Sequence, residues 1–116
     1  KIRFINEKTN MKTALKLISN KKLGVLIVTN KKKLTTGIIT DGQIRRSTQK
    51  NKTLETKAVK DIMTPNPISI EKNTLAAKAL SIMNEKKITC LFVHNKNKKK
   101  TIGILHIHNI LSANLR

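Results

Sequence analysis

Aromatic residues are nearly missing from this chain of 116 residues: Phe4 and Phe92 stand alone, with no Trp and no Tyr. Their scarcity removes the platforms on which proteins stack single-stranded bases. Acidic residues are also few, six against 25 Lys and Arg, which leaves a formal net charge of +19. Such a charge raises nucleic acid as a partner. Against it, Arg, the residue of bidentate phosphate and guanine contacts, occurs only at Arg3, Arg45, Arg46 and Arg116. The lysine runs at 31–33 and 98–100 read as solvated loop tips. The abundance of Lys, Asn and Ile is that expected of AT-rich codons, so a nucleic-acid-binding domain stands only as a third reading. A single cysteine, Cys90, excludes an internal disulfide and fits a reducing cytoplasm. No apolar run approaches the ~20 residues that cross a bilayer, and no signal-peptide pattern opens the chain, so no membrane partner is expected.

What the chain does contain is one unit written twice, about 65 residues apart. The stretch "TALKLISNKKLGVLIVTN" followed by "GIITDGQI" returns as "KALSIMNEKKITCLFVHN" followed by "GILHIHNI". At one register Ile5, Thr9, Ala14, Leu15, Leu26, Val28 and Asn30 recur as Ile70, Thr74, Ala79, Leu80, Leu91, Val93 and Asn95. One inserted residue then shifts Gly37, Ile38 and Ile44 onto Gly103, Ile104 and Ile110. Two copies are too few for a solenoid. They imply two halves covering each other's apolar sides, with clefts between them. The opening "KIRFIN" has no initiator Met and enters the first copy at once, as in a piece of a longer protein.

Within each copy, Met11, Ala14, Leu15 and Ile18, and likewise Ala76, Ala79, Leu80 and Met83, keep the spacing of one helix face. This predicts Leu15 and Leu80 buried in equivalent places, and Thr9 and Thr74 as N-caps. "GVLIVTN" and "TCLFVHN" suit nearly buried strands. A Lys/Asn loop returns the chain to "TGIIT" and "IGILH", strands that lead into second helices near Asp41 and His108. The fold class is therefore α+β, two β-α-β-β-α units related by a pseudo-twofold axis. The divisions expected are a first unit over 1–50, a polar linker over 51–60 and a second unit over 61–116. "AVKDIM" predicts a helical turn, and Pro65 and Pro67 an extended entry into the second copy.

The run "DIMTPNPISI", then "AAKALSIMNEKKITCLFV", then "GILHIHNIL" resembles a CBS domain, and the whole chain resembles a tandem CBS pair, or Bateman module. With "GIITDGQIRR" it is similar to the C-terminal regulatory half of bacterial arabinose-5-phosphate isomerases. Those enzymes interconvert ribulose 5-phosphate and arabinose 5-phosphate at the start of Kdo synthesis for the outer-membrane polysaccharide. The resemblance implies a cytoplasmic regulatory fragment that is not itself an enzyme, whose parent carries the isomerase domain elsewhere. It implies no cofactor, but a regulatory nucleotide or sugar nucleotide, with CMP-Kdo as the candidate. It also implies homodimers of CBS pairs inside a larger isomerase oligomer. The alternative of a different class is a structural oligomerisation module that binds nothing.

The resemblance places ligand contacts at the strand-to-helix turn of each unit: Thr40, Asp41, Gly42 and Gln43 in the first, His106, His108 and Asn109 in the second. Arg45 and Arg46 follow as candidate phosphate or carboxylate grips, against the reading of an exposed helix in a lysine-rich protein. Thr64, Pro65, Asn66 and Ile68 form the entry segment that borders the cleft in CBS units. The family's ribose-binding position is an aspartate, whereas this chain has Gln43 and Asn109. An amide oxygen accepts without the charge that makes such bonds strong, so AMP and ATP are expected to bind weakly or not at all. Restoring Asp at 43 is expected to strengthen that binding. His106, His108, Cys90 and His94 do not promise the four converging ligands of a zinc site, and no metal or catalytic residue is assigned. Cys90 lies in an apolar segment that offers nothing to lower its pKa.

Overall fold

The computed structural model describes residues 3–21, 25–50 and 53–114. The chain forms two compact units, Lys1–Asn66 and Pro67–Arg116. In the first, β1 (Phe4–Asn6), α1 (Met11–Lys21), β2 (Val25–Thr29), β3 (Thr35–Thr40) and α2 (Asp41–Lys50) follow in order. A 3-10 turn (Leu54–Thr56), α3 (Val59–Ile62) and β4 (Thr64–Pro65) complete it. The second unit consists of β5 (Ser69–Glu71), α4 (Ala76–Lys86), β6 (Cys90–His94), β7 (Thr101–His106) and α5 (Ile107–Asn114). Each unit thus contains a β-α-β-β-α run, the α+β class that the repeat implies, and the first adds a 3-10 turn, a short helix and a fourth strand.

The first sheet has the order β1-β2-β3-β4 and the second β5-β6-β7. β1 and β5 run parallel to β2 and β6, and the remaining pairs are antiparallel. A helix must intervene between parallel neighbours, and α1 and α4 supply it. The duplication extends to irregularities. The β2–β3 register slips at Val28/Thr29 and the β6–β7 register at Val93/His94. Thr29 and His94, equivalent positions, are also the buried polar residues among those described.

The first core gathers Ile5, Met11, Ala14, Ile18, Leu26, Val28, Ile39 and Ile44. The second gathers Ile70, Ala79, Met83, Leu91 and Ile110, each at the matching repeat position. Leu15 and Leu80 are half-buried rather than buried, both packed on the edge of their own core. Ala14 and Ala79, the preceding residues on each helix, are fully buried instead.

The N-caps fall one residue later than expected. Thr9 closes a turn after β1, its N–H donating to the Asn6 carbonyl at 3.0 Å and its carbonyl accepting from Val59 N–H at 2.7 Å. Thr74 N–H likewise donates to the Glu71 carbonyl at 2.9 Å. Asn10 caps α1 instead, its Oδ1 accepting from Thr13 N–H at 3.1 Å. The equivalent position in α4 is Leu75, which offers no side-chain cap.

The chain divides into its compact units between Asn66 and Pro67. Apolar contacts hold the stretch before that division to the first unit, with Ile62 and Met63 packed on its core. Leu54 and Val59 are buried in the first core, so the segment read as linker is fastened to the first unit. Met11 N–H donates to the Lys57 carbonyl at 2.8 Å and Lys60 N–H to the Glu7 carbonyl at 2.9 Å.

Candidate functional site

β3 ends on Thr40, and α2 begins on Asp41 with no intervening loop. Such an abrupt turn needs its first helical amides capped from within. Thr40 Oγ1 accepts from Gln43 N–H at 3.1 Å, and Gln43 Oε1 accepts from Thr40 N–H at 3.4 Å. This reciprocal pair is a capping box. The spacing Thr-x-x-Gln before a helix was a sequence signal for it, one that the ribose-site comparison passed over. Gln43 also uses its other end: Nε2 donates to the Ile62 carbonyl, 19 residues away at the end of α3.

Arg45 and Arg46 are exposed on the first turns of α2. A methyl group built on Gly42 would lie 3.5 Å from Arg46 Nη1 and 3.9 Å from Arg45 Nη2. Both guanidinium groups therefore lie near the start of the helix, at ordinary contact distance from position 42. Asp41, exposed at the first helical position, complements the positive end of the helix dipole. Six of the expected residues, Thr40, Asp41, Gly42, Gln43, Arg45 and Arg46, thus share one turn.

Thr64 and Pro65 form β4 and pair with Ile38 and Gly37 of β3. Asn66 follows in a left-handed conformation (φ 52°), its N–H donating to the Thr36 carbonyl at 3.2 Å. All three are exposed. The entry segment of the second copy is therefore the edge strand of the first unit's sheet, beside the strand that ends at Thr40. Close approach makes this possible: a methyl group on Gly37 would come within 2.5 Å of Met63 Sδ and 2.8 Å of the Thr64 carbonyl oxygen. Ile68 belongs to the second unit, where its carbonyl accepts from Phe92 N–H at 3.1 Å.

At the matching turn of the second unit, His106 replaces the capping threonine. Its Nδ1 accepts from His108 N–H at 3.2 Å, so the imidazole caps α5. The His106 and His108 rings stack with centroids 4.7 Å apart and planes inclined by 21°. The side chain of Asn109 lies outside the described residues. Sequence reasoning missed the role of His94, which is buried with Nδ1 2.9 Å from Ser69 Oγ. Its register with the buried Thr29 was the available signal.

Among the described residues no group of three or more His, Cys, Asp and Glu converges as a metal site would require. Cys90 pairs with His106 across β6 and β7. Burial pushes its thiol above the ordinary value, against a hydrogen bond with Thr89 that lowers it. A hollow of about 610 Å³ in the first unit, between Glu7, Lys8 and Lys31, contains none of the expected site residues. Nor does one of about 430 Å³ over Ile70, Val93 and Ile104 in the second.

Two sequential β-α-β-β-α units, each with a strand running straight into a capped helix, define a tandem-repeat α+β module. The chain belongs to the CBS domain family, which matches residues 1–49 and 59–116. It is 30% identical over 112 residues to the arabinose 5-phosphate isomerase KdsD of Salmonella typhi, and 29% to that of Escherichia coli strain K12. In both cases 97% of this chain is covered, and 34% of the relative. It is also 36% identical over 111 residues to RP505 of Rickettsia prowazekii, an uncharacterized protein. The chain spans about a third of the length of these curated relatives (34% in each case). Among solved structures, CBSX2 in complex with AMP matches with a TM-score of 0.80 at 28% identity, covering 98% of this chain and 87% of that one. The CBS-domain protein ATU1752 of Agrobacterium tumefaciens matches with a TM-score of 0.85 at 17% identity, covering 98% and 84%. That second likeness speaks for the fold alone.

Proposed function

We propose that this chain is the regulatory, ligand-sensing CBS pair of an arabinose-5-phosphate isomerase and takes up a nucleotide or sugar nucleotide. The observation that carries the reading is the match to the KdsD isomerases across 97% of this chain but only 34% of theirs. The isomerase chemistry belongs to the parent's remaining two thirds. The AMP complex of CBSX2, at 28% identity, supports a nucleotide as the class of ligand. The turn at Thr40 supplies a hydroxyl and two guanidinium groups near Gly42, suited to phosphate or carboxylate oxygens. His106 and His108 supply imidazoles in the second unit. An anionic sugar nucleotide such as CMP-Kdo, the activated product of the pathway that the isomerase opens, has the phosphate and carboxylate that these groups would hold. The working assembly would be a cytoplasmic homodimer of CBS pairs within the isomerase oligomer.

The test is thermal unfolding at matched ionic strength with CMP-Kdo, CMP, AMP and inorganic phosphate. CMP-Kdo should raise the melting temperature more than AMP does. Arg46→Ala or His108→Ala should each remove about 1.5–3 kcal/mol of binding, the worth of a hydrogen bond to a charged group. Equal shifts with every anion would reduce the effect to the attraction of a +19 protein for negative charge. An unchanged melting temperature at millimolar CMP-Kdo would favour the second reading, a structural module that binds nothing. The internal engagement of both ends of the Gln43 amide speaks for that alternative.

A further inference from the structure

The segment from Ile62 to Asn66 is strapped to the first unit at several points. Met63 N–H donates to the Val59 carbonyl at 2.9 Å, and Asn66 N–H to the Thr36 carbonyl at 3.2 Å. Thr64 and Pro65 pair with Ile38 and Gly37, and Met63 covers Gly37. The side-chain amide of Gln43 reaches this strap from the β3–α2 turn, and it does so with opposite chemistry at its two ends. Its oxygen accepts from Thr40 N–H, and its nitrogen donates to the Ile62 carbonyl. Near neutral pH an amide can do both and an ionised carboxylate cannot. A carboxylate of the same length would set an oxygen anion against the Ile62 carbonyl oxygen, and the shorter aspartate has no donor at all.

We propose that Gln43 is a positioning residue that fastens the strap Ile62–Asn66 to the turn at Thr40, so that this turn is a closed joint rather than a ribose acceptor. The amide is the group the joint requires, and not a weakened version of a ribose-binding carboxylate. The strap is also the stretch of chain that leads from the first unit into the second. A ligand that rearranged the turn would therefore pull on the connection between the units through one side chain. The consequence for ligand choice rests on the proposed sensing role, whereas the joint itself does not. It reverses one expectation: Gln43→Asp breaks the joint and brings no gain in adenylate binding.

The experiment is amide hydrogen exchange on the wild-type chain and on Gln43→Met, Gln43→Glu and Gln43→Asp. Near pH 7, Gln43→Met and Gln43→Glu should speed exchange at Met63 and Asn66 by roughly tenfold over wild type, the effect of losing one charge-free hydrogen bond and its alignment. Exchange at Ile27, whose N–H donates to the Arg3 carbonyl, should not change. Near pH 4 the Gln43→Glu chain should return to within about threefold of wild type, while Gln43→Met should not. The sign follows from the geometry. The Ile62 carbonyl disfavours the charged form, so the folded pKa of Glu at 43 lies above the ordinary ~4.3. The bond it restores is complete below that ordinary value and lost as pH rises through the raised one. The charged groups on the elements that meet there, Asp41, Arg45 and Arg46 on α2 and Lys60 and Asp61 on α3, are exposed and common to every variant. Unchanged exchange at Met63 and Asn66, uniform acceleration across the unit, or no recovery of Gln43→Glu in acid would each overturn the joint. Calorimetry with AMP reads the other half. A tenfold or greater gain in affinity for Gln43→Asp overturns the claim on ligand choice. A wild type that binds neither AMP nor CMP-Kdo, with the exchange pattern as described, ends the sensing role and leaves the joint standing.

Discussion

Replacing Leu75 by Asn should stabilise the protein, although it removes a large apolar side chain. The repeat supplies the comparison. Asn10 and Leu75 are equivalent, each the residue before a helix of 11 residues. Asn10 Oδ1 accepts from Thr13 N–H at 3.1 Å and from Thr13 Oγ1 at 3.2 Å. Leu75 has the backbone of a good N-cap, φ −63° and ψ 143°, but no side-chain acceptor. A cap of this kind is worth about 1 kcal/mol, within a range of roughly 0.5–2. Against it stands the lost burial of Leu75. The residue is 76% exposed. Full burial of Leu is worth roughly 1.5–3 kcal/mol, so its buried quarter amounts to about 0.4–0.7. At that central cap value the net gain is about 0.3–0.6 kcal/mol, or ~1–4 °C in melting temperature for a domain of this size. The converse change, Asn10→Ala, should cost about 1 kcal/mol. Calorimetric melts of both variants and wild type, at two protein concentrations, test the pair. A Leu75→Asn chain less stable than wild type would refute the reasoning. A loss that grew with concentration would mean that a second copy covers Leu75 in solution.

The two equivalent glycines should respond oppositely to alanine. Gly37→Ala drives a methyl into Met63 and the Thr64 carbonyl and should cost about 1–3 kcal/mol, whereas at Gly103 the nearest atom, Val93 Cβ, is 3.7 Å away. There the lower entropy of the unfolded chain should gain about 0.4–1 kcal/mol; equal costs in urea unfolding would contradict the asymmetry of the two sheets. Leu15→Ala and Leu80→Ala should cost similar amounts, about 1–3 kcal/mol, below the ~2–5 of a fully buried leucine such as Leu26 or Leu91. A loss at one position more than twice that at the other, by the same measurement, would show that the units do not share a helix register.

The repeat made most of the fold legible. A helix face written at i, i+3, i+4 and i+7 and a β-branched run leave little choice of element, and two copies at one register exclude coincidence. What the sequence did not show follows from contacts that carry no local pattern. Leu54 is a single apolar residue in a polar stretch, and the Val59, Ile62, Met63 spacing marks a helical turn without telling which of the two cores it joins. The N-caps were misplaced by one residue because Thr9 and Thr74 share the cap chemistry but serve the preceding turn. At the candidate site the difficulty was one of kind. Comparison with the family marks Gln43 as a missing carboxylate, and so reads it by what it lacks. The partner that explains it, the Ile62 carbonyl, lies 19 residues on, beyond any helix or turn spacing. A backbone carbonyl is also the one group every residue has, so no sequence marks it as a partner. The amide at position 43 becomes intelligible only when both of its ends are placed, one on Thr40 and one on Ile62. The capping half was readable from Thr-x-x-Gln. The other half, which decides between amide and carboxylate, belongs to the tertiary structure.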